Sequence, residues 1–171
     1  MNMRRLLLDA GNTRLKWAVV ENGVWRAHGS ADYADLSALS QMLTATTECY
    51  IASVTRSQHE SQINTLLAPF AITPKWLRAA ARFSDVRNTY RNPQQLGVDR
   101  WMGLIAARQR TQAPALVVSA GTAMTVDALS ADGEFLGGLI VPGLAMMQQA
   151  LQQGTALRST LYGRISWKYD A

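Results

Sequence analysis

The sequence predicts an α/β protein built from two similar halves, each a mixed β-sheet flanked by helices. Three observations carry that prediction. A strand, a small polar Gly-containing turn, a strand, an Asn-Gly or Asp-Gly turn and a further strand occur at residues 6–27 and again at 115–141. Between and after these runs, apolar residues recur at helical spacing. Hydrophobic residues make up 48% of the chain and charged residues 17%, enough to bury a sizeable core and too apolar for disorder.

The elements follow in order. Leu6-Leu7-Leu8 is a compact apolar run that ends in the turn cluster Asp9-Ala10-Gly11-Asn12. Leu15–Val20 and Val24–Ala27 are strands joined through Asn22-Gly23, a strong short hairpin signal. Leu36, Leu39, Met42 and Leu43 share one helical face, with Asp35 as N-cap. Cys49–Val54 is a buried strand. Ile63, Leu66 and Leu67 mark a helix stopped by Pro69, and Lys75-Trp76-Leu77 is a short strand. Arg82–Gln95 is polar, contains Asn88, Asn92 and Pro93, and is expected to be a loop. Trp101, Leu104, Ile105 and Arg108 define a helix over Val98–Arg110.

After Thr111–Pro114 the second series begins. Ala115–Val118 runs into Ser119-Ala120-Gly121-Thr122; Thr125–Leu129 and Phe135–Val141 follow, then a helix from Gly143 to Gln153. The loop 111–114 is the expected boundary, giving domains 1–112 and 113–171.

Composition narrows the function. The 17 basic and 12 acidic residues leave a charge of +5, but the basic residues are scattered, with no run longer than Arg4-Arg5. No nucleic-acid partner is expected from that distribution. Cys49, the single cysteine, cannot form an intrachain disulfide. Leu6–Leu8 is too short for a signal-peptide core or a bilayer span, so a cytoplasmic protein without a membrane partner is expected.

Four segments carry chemistry. In Asp9–Lys16, Gly11 lets the backbone approach a ligand and successive amides can cradle an anion. Asn12 and Thr13 add donors, Lys16 a positive charge, and Asp9 could hold Mg²⁺ through water. The alternative is a polar hairpin capped by Asp and Asn. Gly121-Thr122 is a second, individually weak candidate, whose value lies in pairing with the first. Asp99 and Arg100 open a strong helix behind Tyr90. Asp99 either accepts a proton from an attacking hydroxyl, with Arg100 gripping an anionic group, or merely stabilises the helix start. Gly137-Gly138 in a strand suggests close backbone approach, and Pro142-Gly143 opens a helix. Met146 and Met147 are expected in a core or subunit contact, and His28 and His59 on the surface.

Taken in order, Asp9-x-Gly11-Asn12-Thr13, Tyr90, Gly97-x-Asp99-Arg100, Gly121-Thr122-Ala123-x-Thr125-x-Asp127, Gly137-Gly138-x-Ile140-x-Pro142-Gly143 and Thr155-Ala156-Leu157 resemble the type III pantothenate kinases. The resemblance implies the actin-like (ribonuclease H-like) duplicated fold, with ATP in the interdomain cleft and the second domain incomplete. It implies ATP contacts from Asp9, Ala10, Gly11, Asn12, Thr13, Arg14, Leu15, Lys16, Gly121 and Thr122. Asp99 would be the catalytic base, and Tyr90, Gly97, Val98, Asp99 and Arg100 would line the pantothenate pocket. Mg²⁺, a monovalent cation (K⁺ or NH₄⁺) and a homodimer are further implications. Many members ligate the monovalent cation with an Asp just before the Ala-Gly-Thr turn; this chain has Ser119, whose hydroxyl is a weaker ligand. The resemblance leaves two rivals: a nucleotide-binding regulatory accessory protein without turnover, and a related kinase with another hydroxyl acceptor.

Overall fold

The computed structural model describes residues 3–43, 46 and 48–155. Strands β1 (Arg4–Ala10), β2 (Leu15–Glu21), β3 (Val24–Ala31), β4 (Glu48–Ser53) and β5 (Lys75–Trp76) form one mixed sheet in the order β3-β2-β1-β4-β5. Strand β1 lies at its centre, antiparallel to β2 and parallel to β4. Leu6, Leu8 and Ala10 alternate onto one face of β1. There they meet Leu39 and Leu43 of α1 (Ser37–Leu43) and Ile63 and Leu67 of α2 (Ser57–Leu67) in a continuous core. Each such leucine, fully buried, contributes about 1.5–3 kcal/mol. Asn22-Gly23 turns the β2–β3 hairpin with both residues at positive φ, as that dipeptide predicts.

The second sheet contains β6 (Arg82–Phe83), β7 (Val86–Asn88), β8 (Ala115–Ala120), β9 (Ala123–Leu129) and β10 (Glu134–Pro142), in the order β6-β7-β10-β9-β8. Helix α3 (Val98–Arg110) packs Trp101 and Leu104 against it, in a core with Val86, Leu96, Leu129 and Phe135. Helix α4 (Leu144–Gly154) follows β10 and buries no residue among those described. This is the actin-like arrangement of two mixed sheets flanked by helices.

Two expectations change, the loop at 82–95 and the surface placement of His59. Residues 82–95 are not a plain loop: β7 joins β10 through Arg87↔Glu134 and Asn88↔Phe135, and residues Pro93–Gln95 form a 3₁₀ turn. Backbone pairing to a distant strand decided this, and it leaves little trace in a three-residue segment. Described residues up to Trp76 contribute to the first core, and residues from Ala79 onward, α3 included, to the second. Met146 and Met147 are exposed, which leaves the subunit contact of the two expected placements. His28 is exposed as expected, whereas His59 is half-buried and stacks on Tyr33 with ring centroids 3.7 Å apart. Ala156 and Leu157, and most of the tail of the 113–171 domain, lie outside the described residues.

Candidate functional site

The two Gly-containing turns meet. Thr13 Oγ1 and Thr122 Oγ1 are 2.7 Å apart, a hydrogen bond between hydroxyls from opposite halves of the chain. Both turns stand at the carboxyl ends of their strands, β1 and β8, which is where ligands bind in α/β sheets.

The first turn is held from several sides. Gly11 N–H donates to Arg14 O at 3.2 Å, and Val54 N–H, just past β4, donates to Ala10 O at 3.1 Å. Behind it, the Tyr33 hydroxyl donates to Gly11 O at 2.7 Å. Tyr33 is buried, and burial, with a smaller contribution from the Asp9 charge, raises its pKa against the lowering effect of Thr55. The hydroxyl therefore stays protonated and able to donate. His59, stacked on that ring, shares a 2.6 Å hydrogen bond with Thr55 Oγ1. Asn12, Thr13 and Arg14 are exposed, while Ala10 and Leu15 are buried and offer the turn their backbone only. Lys16 Nζ lies 3.5 Å from Asp9 Oδ2, with both side chains open to solvent.

The second turn is braced by main chain. Gly121 N–H donates to Ala123 O at 3.0 Å, and Gly143 N–H, at the start of α4, donates to Thr122 O at 3.0 Å. A Cβ at position 143 would stand 2.1 Å from Gly121 O, so only glycine allows this approach. Ser119 is exposed at the end of β8.

The third component is the start of α3. Asp99 is exposed, and its Oδ1 accepts from the Arg100 amide at 2.8 Å. That satisfies a free amide of the helix start and leaves the other carboxylate oxygen outside this contact. Gly97 caps the helix, and a Cβ there would sit 3.7 Å from Val54 Cγ1, beside the residue that anchors the first turn. Val98 is buried. Tyr90 is half-buried, its ring 5.5 Å from Phe135 and its amide held by Asn88 Oδ1 at 3.1 Å.

Arg100 differs from a free anion grip. Its side chain is 7% exposed, and its Nε lies 3.0 and 3.1 Å from the two oxygens of Asp127, with Nη2 also on Oδ1. The contact with Asp127 raises the Arg100 pKa, with Tyr90 adding to the effect against desolvation. The pairing of Asp127 with Arg100, the support from Tyr33 and the bracing role of Gly143 are what the sequence did not disclose. For Asp127 a signal existed. Thr125, Asp127 and Leu129 are all buried along β9, a period of two that points a carboxylate into the core and demands a cationic partner.

A family model described as type III pantothenate kinase matches residues 5–161. A type III pantothenate kinase from Thiobacillus denitrificans is 63% identical over 152 residues, covering 89% of this chain and 62% of the relative. One from Aromatoleum aromaticum is 42% identical over 162 residues, covering 93% and 67% respectively. The chain thus spans about two thirds of the length of these curated relatives. Among solved structures, a Baf family transcriptional activator from Campylobacter jejuni superposes with a TM-score of 0.54 at 18% identity, over 96% of this chain and 68% of that one. That likeness is one of fold.

Proposed function

Because this chain belongs to the type III pantothenate kinase family, we propose that it transfers the γ-phosphoryl group of ATP to the terminal hydroxyl of pantothenate, the first step towards coenzyme A. The observation that carries the reading is the contact between Thr13 and Thr122, two turn hydroxyls converging from separate sheets. A triphosphate entering that groove replaces the bond between the hydroxyls with bonds from each to phosphate oxygens. The exposed side chains of Asn12 and Thr13 supply donors from the first turn and Thr122 from the second, with the exposed Lys16 ammonium adding positive charge. The Gly11 and Gly121 amides are taken up in holding the turns, on Arg14 O and Ala123 O.

Phosphoryl transfer leaves the protein mainly positioning and electrostatic work. Asp99 is the group for the acceptor. Exposed on the first turn of α3, it orients the attacking hydroxyl and takes its proton. Tyr90 and Gly97–Arg100 are the residues for the acceptor, with the Arg100 charge, held in place by Asp127, as the attraction for its carboxylate.

Asp9 fits a magnesium ion. Its side chain is 44% exposed, and no cluster of three His, Cys, Asp or Glu occurs among the described residues. A single carboxylate completed by water and phosphate oxygens is the usual Mg²⁺ arrangement in phosphoryl-transfer sites. When bound, the ion supplies charge neutralisation on the transferred phosphoryl group. Ser119 offers a neutral hydroxyl and does not fit a carboxylate-based site for K⁺ or NH₄⁺, so no step is assigned to a monovalent cation. The exposed apolar residues of α4 (Leu144, Met147 and Leu151) support a homodimer. No described helix is long and apolar enough to cross a membrane.

The test is coupled ADP release with and without pantothenate, on the wild-type chain and on Asp99→Asn. Loss of a positioned general base lowers kcat by about 10²–10⁴-fold. Equal pantothenate-dependent rates in the two proteins remove Asp99 from its role, and ATP binding without pantothenate-dependent ADP release overturns the kinase reading for this chain.

A further inference from the structure

We infer that Asp127 is the positioning residue that gives this site its preference for an anionic acceptor, by fixing the Arg100 guanidinium beside Tyr90, among the residues proposed for the acceptor. The inference rests on the proposed kinase reading and deepens it.

Arg100 is anchored along one edge. Nε and Nη2 face the Asp127 carboxylate, and Nη1 lies outside that contact. The guanidinium carbon also sits 5.7 Å from the Phe135 ring centroid, so its plane is packed as well as hydrogen-bonded. An arginine held in this way loses little freedom when its remaining corner meets a carboxylate, because the ordering cost was met on folding.

The backbone is shaped around the pair. A Cβ at Gly138 would lie 2.1 Å from Asp127 Oδ1 and 2.6 Å from Arg100 Nη2. Gly138 pairs with Asp127 across β9 and β10, so the neighbouring strand gives up its side chain at the position where the ion pair needs room. A surface ornament would not require that. Asp127 is 1% exposed and therefore meets no substrate itself; it acts through Arg100. Because β9 leaves the Gly121-Thr122 turn directly, Asp127 also ties the start of α3 to the strand that carries the second turn. One buried carboxylate thus sets acceptor and phosphoryl donor in a common frame.

The experiment compares pantothenate with panthenol, which has the same terminal hydroxyl and no carboxylate, as acceptors for the wild-type chain and for Asp127→Asn. The ratio of kcat/KM for pantothenate to that for panthenol is expected to fall by about tenfold or more in the variant, the scale set by misdirecting one charge-assisted contact. Removing one partner of a buried pair threatens folding, so circular dichroism melts accompany each assay. Arg100→Lys, which keeps the charge without the two-pronged contact, provides a second route. It is expected to lose the same preference, and the double variant to lose no more than either single one. Equal losses for both acceptors in folded protein would give Asp127 a purely structural role and overturn the inference. If the wild-type chain prefers pantothenate and Asp127→Asn keeps that preference, the inference alone fails. If the wild type uses neither acceptor, the kinase reading fails and takes this inference with it.

Discussion

Leu6 and Leu116 occupy the same place in the two β-meanders, each five residues before its turn glycine, Gly11 or Gly121, yet Leu6 is 0% exposed and Leu116 is 71%. The next inward residues repeat the contrast, with Leu8 buried and Val118 exposed. Their strands differ in company. Strand β1 has β2 on one side and β4 on the other, and α1 and α2 cover its Leu6 face. Strand β8 is an edge strand paired only with β9, and the sheet face carrying Leu116, Val118 and Leu139 has no helical cover that buries it among the described residues. Equal local sequence therefore produces equal strands and turns, but burial is conferred by whatever packs on top.

The largest effect should come from testing that contrast directly. Leu6→Ala is expected to cost about 2–5 kcal/mol by denaturant unfolding, and Leu116→Ala to stay within about 0.5 kcal/mol. Comparable losses at the two sites would mean that the second face is covered in solution.

The turns sharpen the comparison from another side, since one is braced by a side chain and the other by main chain. Gly143→Ala pushes a methyl group into Gly121 O and Thr122 O. Overpacking of that kind costs about 1–3 kcal/mol, and ATP affinity measured by calorimetry should fall by about tenfold or more. Tyr33→Phe deletes only the hydroxyl that supports Gly11 O. A single hydrogen bond is worth about 1 kcal/mol, so ATP affinity should fall about fivefold. An unchanged affinity would leave the Tyr33 hydroxyl no part in shaping the turn.

The smallest effects concern the ion pairs and thiol of the first sheet. Hydrogen bonds from Arg5 and then Lys75 lower the Glu48 pKa to about 2. A depressed carboxylate pKa adds stability that is complete above the unfolded value, about 4.3, and is lost as pH falls towards 2. Glu48→Gln should flatten the acid limb of the stability–pH curve in that window and leave neutral pH little changed. Cys49, pushed up to about 12 by burial, should resist iodoacetamide at pH 8 in folded protein and react after denaturation. The second half has no matching probe, because this is the chain's single cysteine.

Much of the fold was legible because its signals are local. Alternation at Leu6, Leu8 and Ala10, the Asn22-Gly23 dipeptide, and the spacing of Trp101, Leu104 and Arg108 each report a backbone state within a few residues. The short strands at 82–83 and 86–88 were not legible, since their pairing depends on β10 almost fifty residues away. The candidate site divides likewise. Gly11, Thr13, Asp99, Gly121 and Thr122 stand in motifs with a chemical rationale of their own, whereas the service of Tyr33 to Gly11 is a contact across 22 positions. Its sequence neighbourhood, Asp32-Tyr33-Ala34-Asp35, reads as an ordinary turn.

The sequence by itself determined the repeated meander, the two Gly-containing turns and the acid at the head of α3, because backbone propensity and side-chain periodicity act over short range. Only the tertiary structure decided that Thr13 meets Thr122, that Arg100 is held by Asp127 against a vacant Gly138, and that Leu6 is covered while Leu116 is not. Those outcomes depend on how whole sheets and helices pack, and packing is a property of surfaces assembled from residues far apart in the chain.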